Sequence, residues 1–291
     1  MTDGNAHIPV LPQEVLDWLR PCSGGTYIDG TLGLGGHAGL ILQHSKPDGR
    51  VFGFEWDSQA AQSAQERLAA YGGRFRLLPA SYAEMAAQGL AQADGILLDL
   101  GASSLQFDRP ERGFSFMTDA PLDMRMNTSL LISAAELLNQ LSQEELADIF
   151  YNYGEERQAR RIARFIAEAR LVQPVASTRQ LAEIVRQAVP TKYQPKKIHP
   201  ATKVFQALRI AVNRELDNLA KVLTDAPALL ASGSRLCIIT FHSLEDRMVK
   251  QSFLSNPSLR VLTKKPILPG ETELRINPRS RSAKLRVAEK I

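Results

Sequence analysis

Apolar residues in this chain gather first in short runs and later at helical spacing, and the change of pattern divides the sequence. Five runs, at 26–29, 50–55, 75–79, 95–99 and 235–241, are rich in β-branched or aromatic residues and read as buried strands. Helical patterns separate the first four, with Ala60, Ala61, Ala64 and Leu68 recurring on one helix face. Strand–helix alternation implies a parallel sheet covered on both faces. Segments 259–263 and 284–288 read as two further strands with a loop between them.

After Asp99 the alternation stops. From about Ser133 to Val189 the pattern is all helix, with stripes at Ala134, Leu137, Leu138, Leu141 and at Ile162, Phe165, Ile166, Ala169. Ser142 followed by Glu145 is a capping-box signature for a helix start. A long amphipathic stretch, 202–230, then leads back to the strand at 235–241. The expected architecture is α/β: a Rossmann-like sheet interrupted by a helical insertion. Its domains are 1–106, an insertion at 107–210 with edges near Phe107 and Ile210, and 211–291.

Composition adds bounds. Hydrophobic content of 44% and charged content of 23% promise an ordinary buried core. No basic, apolar leader and no apolar run of ~20 residues is present, so the expectation is a soluble, cytoplasmic protein. Two cysteines, Cys22 and Cys237, are too few for a disulfide framework or a zinc cluster, and no metal site is assigned. Cys237, inside a strand run, reads as a small buried hydrophobe. The net charge of +4 is unevenly spread. Ten Lys/Arg against three Glu follow Met248, and Lys192, Lys196, Lys197 and Lys203 cluster with His199 in a proline-broken stretch. Such clusters fit either a solvated surface or a polyanion, most often nucleic acid.

The candidate chemistry starts at 29–37, Asp-Gly-Thr-Leu-Gly-Leu-Gly-Gly-His, where the first strand runs into a glycine-rich turn opening a helix near Ala38. Glu55 ends the second strand, placed to accept hydrogen bonds from ribose hydroxyls. Gly33 to Ala38 also matches G-x-G-x-x-A, so a nicotinamide-dependent oxidoreductase is one reading. Asp99 at the carboxyl end of the fourth strand shifts the balance. A methyltransferase uses an acid there to orient the acceptor or the cofactor amine, whereas a dehydrogenase wants His or Tyr beside the nicotinamide. Cys22 precedes the first strand, the wrong place for the nucleophile of cytosine C5 methylation, so transfer to nitrogen or oxygen is favoured. His242 follows the fifth strand and faces the ligand side of the sheet. Ser243 with Asp246 reads as a cap for a helix starting at Leu244. Tyr82 fits either an adenine stack or a core aromatic.

Together these segments resemble the bacterial small-subunit ribosomal RNA methyltransferase H, or MraW, family. The similarity runs from His7-Ile8-Pro9-Val10-Leu11 through the glycine loop, 96–104, Glu111 to Phe116, Pro121 to Met126 and Tyr153 to Arg157. It continues through His199 to Thr202, Phe205 to Ile210, Phe241 to Arg247 and Asn277 to Ser282. The resemblance implies a class I S-adenosylmethionine-dependent fold and N4-methylation of a decoding-centre cytidine in 16S rRNA, by direct attack of the exocyclic amine on the sulfonium methyl. It implies cofactor contacts at Gly33, Gly35, Gly36, His37, Tyr82, Asp99 and Gln106 and at the second-strand acid. That acid is Glu55 here, where the family usually carries Asp, and nearby Asp57 competes for the role. Catalysis is expected at Asp99 and His242, and RNA contacts at Lys196, Lys197, Arg279 and Arg281. The partner is 16S rRNA or the small ribosomal subunit. A homodimer and Mg2+ at the RNA stay open, and the rivals are an NAD(P)-dependent oxidoreductase and a non-enzymatic RNA-binding module.

Overall fold

A computed structural model describes residues 8–90, 92–195 and 198–291. Seven strands form one sheet: β1 (Thr26–Asp29), β2 (Arg50–Phe54), β3 (Phe75–Leu78), β4 (Ala93–Asp99), β5 (Leu230–Thr240), β6 (Leu259–Val261) and β7 (Lys284–Lys290). Their order is β3-β2-β1-β4-β5-β7-β6. β1 to β5 are parallel, but β7 runs antiparallel to both neighbours. The sheet is therefore mixed, where alternation alone predicted a parallel one. The strand order reverses between β1 and β4, the switch point at which open α/β sheets leave a ligand crevice.

The chain falls into two compact units, 1–103 with 216–291, and 104–215. In the sheet unit, neighbouring residues of a strand serve opposite faces, as the period of two requires. Ile28, Ile96, Leu98 and Ile238 pack with α10 (Glu215–Leu229) and α11 (Ser243–Ser255). Tyr27, Leu97, Cys237 and Ile239 pack with α1 (Pro12–Leu19), α2 (Gly36–His44) and α3 (Ser58–Leu68). α3 buries Ala60, Ala61, Ala64 and Leu68, the face its periodicity marked. The β3–β4 link carries only a 3-10 turn, Tyr82–Gln88, not the α-helix anticipated there. A short α12 (Glu271–Ile276) precedes β7.

The second unit holds α4 (Ser104–Asp108), α5 (Ala134–Gln140), α6 (Gln143–Gly154), α7 (Ala159–Val172), α8 (Thr178–Ala188) and α9 (Thr202–Asn213). Ser142 and Glu145 form the reciprocal capping box at the start of α6. Among the described residues, the buried core of this unit runs from Leu122 to Val212, with Phe116 packed against it. The stretch 202–230 is two helices, not one, because Arg214 adopts φ 51° and ends α9. Among the described residues, no helix is long and apolar enough to cross a membrane.

Candidate active site

The carboxyl ends of β1, β2, β4 and β5 bring together the groups that matter. After β1 the chain turns sharply: Gly30 N–H donates to Leu97 O, and Leu32 N–H to Phe54 O. Thr31 Oγ1 accepts the Asp99 N–H, so the loop is laced to the end of β4. Gly33 and Gly35 both sit at positive φ, 51° and 76°. At Gly35 a Cβ would also stand 3.0 Å from Leu68 Cδ1, so this position requires glycine on two counts. α2 starts at Gly36, two residues before the expected point.

Glu55 is half-buried past the end of β2. Its two oxygens accept the N–H groups of Gly33 and Asp57, each at 2.9 Å. Those bonds fix the carboxylate beside the glycine loop and leave lone pairs to spare. Burial pushes its pKa up to about 7. Asp57, the competing acid, is buried as the N-cap of α3, accepting the Gln59 N–H at 3.1 Å. It is spent on the helix.

Asp29 and Asp99 end the two strands that flank the switch point. Asp29 is buried, and burial pushes its pKa up to about 7. Asp99 is driven well above the usual carboxyl range by burial first, then by the charges of Asp29, Glu245 and Glu273. His37 Nε2 lies 3.7 Å from Asp99 Oδ2. Asp99 Oδ1 and Asp29 Oδ2 are out of solvent contact and accept no hydrogen bond from the protein. Buried acceptors are seldom left that way. His242 caps α11: its Nδ1 accepts the Glu245 N–H, its Nε2 lies 3.0 Å from Glu245 Oε1, and Glu245 bonds back to the backbone. The cap expected at Ser243 is thus one residue earlier, since a β-region imidazole presents an acceptor much as a serine does.

Placement of the other expected residues varies. Tyr82 is half-buried at the start of the 3-10 turn after β3. Gln106 is buried on α4 of the second unit. Arg279 and Arg281 are exposed on the turn Pro278–Ser282, whose Ser280 and preceding Asn277 are buried. Lys196, Lys197 and His7 lie outside the described residues. Sequence reasoning missed Asp29, Glu245 and Glu273 as site groups. Asp29 carried a signal, an acid ending β1 as Asp99 ends β4; Glu273 carried none.

Asp29, Glu55 and Asp99 at the strand ends are raised by burial, so a cationic ligand would restore their charged forms where a pyrophosphate would not. That electrostatic character separates the two readings of the glycine loop. The MraW methylase family model matches residues 4–291. The chain belongs to the MraW methylase family. It is 53% identical over 289 residues to the ribosomal RNA small subunit methyltransferase H of Desulfotalea psychrophila, covering 98% of each chain. The enzyme of that name from Geobacter sulfurreducens is 50% identical over 308 residues, covering 98% of this chain and 99% of the relative. That from Cyanothece sp. is 53% identical over 285 residues, covering 98% and 95%. The protein is a methyltransferase with S-adenosylmethionine as its cofactor, which displaces the oxidoreductase and the non-enzymatic readings. The site fits that cofactor: the carboxyl cluster matches its sulfonium and ammonium, and Glu55 offers acceptors for its ribose.

Proposed function

We propose that this methyltransferase modifies N4 of a cytidine in the decoding centre of 16S ribosomal RNA, with the exocyclic amine as direct nucleophile. The ribosomal substrate follows from the relatives' names and from near full-length identity of about half. The observation that carries the chemistry is Asp99 Oδ1, an unbonded acceptor out of solvent contact at the end of β4. An exocyclic amine brings N–H donors to such an atom.

When bound, S-adenosylmethionine supplies an electrophilic sulfonium methyl group. Gly33, Gly35, Gly36 and His37 would hold its methionine portion, Glu55 its ribose and Tyr82 its adenine. A neighbouring cation favours the ionised form of Asp99, reversing the effect of burial and of Asp29. Asp99 then accepts an amine N–H, aims the nitrogen lone pair, and takes the proton released once nitrogen is methylated. His242, fixed by Glu245, positions the base from the end of β5. Neither cysteine is an activated nucleophile. Cys22 is exposed ahead of β1, and burial pushes the Cys237 thiol up to about 12. That favours nitrogen over carbon as the acceptor. The cytidine leaves its stack to reach the crevice, while the insertion and the exposed Arg279 and Arg281, with Lys196 and Lys197, grip RNA phosphates.

Asp99→Ala and His242→Ala, compared for cofactor affinity and single-turnover transfer to small subunits, test the assignment. Turnover should fall at least ~100-fold for Asp99→Ala, within the range for loss of a general base. Full turnover in both variants would sink it. Nucleoside mass spectrometry separates N4-methylcytidine from the C5 isomer, and the C5 product would refute the direct-amine reading.

A further inference from the structure

The second unit carries a basic, aromatic surface that none of the site residues above includes. Arg161 Nε donates to Ala188 O at 2.6 Å, tying the first turn of α7 to the last of α8. Gln194 Nε2 donates to Arg186 O and Val189 O, so the chain leaving α8 is clamped onto neighbouring carbonyls. Between those anchors the turn Thr191–Tyr193 presents Lys192 Nζ 4.8 Å from the ring centre of Tyr193, and that ring is 55% exposed. A third tie closes the surface. Lys203 Nζ donates to Glu155 O and Gln206 Nε2 to Tyr153 O, so the start of α9 lies against the turn between α6 and α7.

On that turn and helix, Arg157, Arg160 and Arg164 are exposed and spaced for one helical face. Charge is segregated: α6 carries Glu144, Glu145 and Asp148 with no cation, whereas α7 carries four arginines against Glu168. Arg164 Nε lies 3.6 Å from Glu168 Oε1 in a solvent-exposed pair, whereas Arg125 with Asp123 and Arg209 with Glu215 form more buried ones. A large exposed aromatic on a clamped turn, bordered by cations, matches what single-stranded nucleic acid requires: a ring for a base and positive charge for the backbone.

We infer that Arg157, Arg160, Arg164, Lys192 and Tyr193 form a platform for single-stranded RNA, with Tyr193 stacking a base and the cations holding flanking phosphates. This rests on the RNA substrate proposed above. An acidic protein segment would need the charges but not the ring.

The experiment uses the full-length protein and a fluorescent 12-nucleotide single-stranded RNA, with anisotropy read over a salt series. Tyr193→Ala should weaken binding about tenfold with an unchanged salt slope, and Tyr193→Phe should bind as the wild type does. Arg160→Ala with Arg164→Ala should lower the salt slope by ~0.7 per lost contact. Wild-type affinity in Tyr193→Ala, or an unchanged slope in the arginine pair, overturns the platform. So does tighter binding of polyglutamate than of RNA. Unchanged thermal melting of Tyr193→Ala ensures that any loss is read as binding. The two proposals fail differently. If wild-type protein methylates small subunits while these variants bind like it, only the platform is lost; if wild-type protein methylates no RNA, the substrate reading itself goes.

Discussion

Burial lifts both Asp29 and Glu55 to about 7, so folding makes these acids hold protons the unfolded chain has released. Each folded value lies above the unfolded one near 4. Their contribution to stability is therefore complete at acidic pH and is lost as pH climbs through about 7. Urea unfolding of the cofactor-free enzyme should show this loss between about pH 4 and about pH 7, and Asp29→Asn should reduce it. Cofactor affinity should move the other way. In the proposed site, ribose hydroxyls would donate to the ionised carboxylate, so binding should strengthen as Glu55 deprotonates, and Glu55→Gln should weaken that dependence. Calorimetric titration at three pH values reads it directly. At this scale the sequence was half legible. Glu55 and Asp99 announce themselves as acids ending apolar runs. That Asp57 is consumed by a helix cap and that Glu273 charges the crevice depend on partners distant along the chain, which local pattern cannot reveal.

Helices and strands followed their hydrophobic periods closely, and the departures have local causes. α3 buries the four residues its spacing marked, because apolar burial sets a helix face more firmly than propensity does. The split of 202–230 was invisible because Arg214 leaves the apolar stripe unbroken while its backbone turns left-handed. Beside that break, Asn213 accepts from Met126 N–H and donates to Met124 O and Arg209 O. Met124 itself stands at φ 62°, a strained value for a side chain of that size. Asn213→Ala should cost the second unit about 2–4 kcal/mol in chemical denaturation, because buried backbone groups lose their partners. Gly35→Ala should cost the sheet unit about 1–2 kcal/mol through its positive φ alone. A neutral Gly35→Ala would mean that the loop is not held as described.

On the scale of the molecule, three cores are built, one within the helical unit and one on each face of the sheet. The helical insertion was legible as a change of period after Asp99. Its limits of 104 and 215 differ from the expected 107 and 210 because α4 and the 209–215 ion pair extend the second unit. Both tryptophans, Trp18 and Trp56, belong to the sheet unit. Tryptophan fluorescence therefore reports that unit selectively. Saturating S-adenosylmethionine should raise the tryptophan-detected melt, by about 2.7 kcal/mol in stability at a hundredfold excess over Kd. A shift seen only in the helical far-ultraviolet signal would place the cofactor elsewhere.

The antiparallel strand also sets an order in time. β7 lies between β5 and β6, and β6 has no other neighbour in the sheet. During synthesis the helical unit is finished once residue 215 has emerged, but the sheet waits for β7. About fifty residues separate the ends of β5 and β7, and at ~5–20 per second they leave several seconds in which β5 shows an open, apolar edge. Chains released at Ala283 should stay protease-sensitive in the sheet unit while the helical unit resists, and pulse proteolysis would resolve the two. The ribosome-modifying enzyme proposed here thus keeps its sheet open for some time after its helical unit has been made.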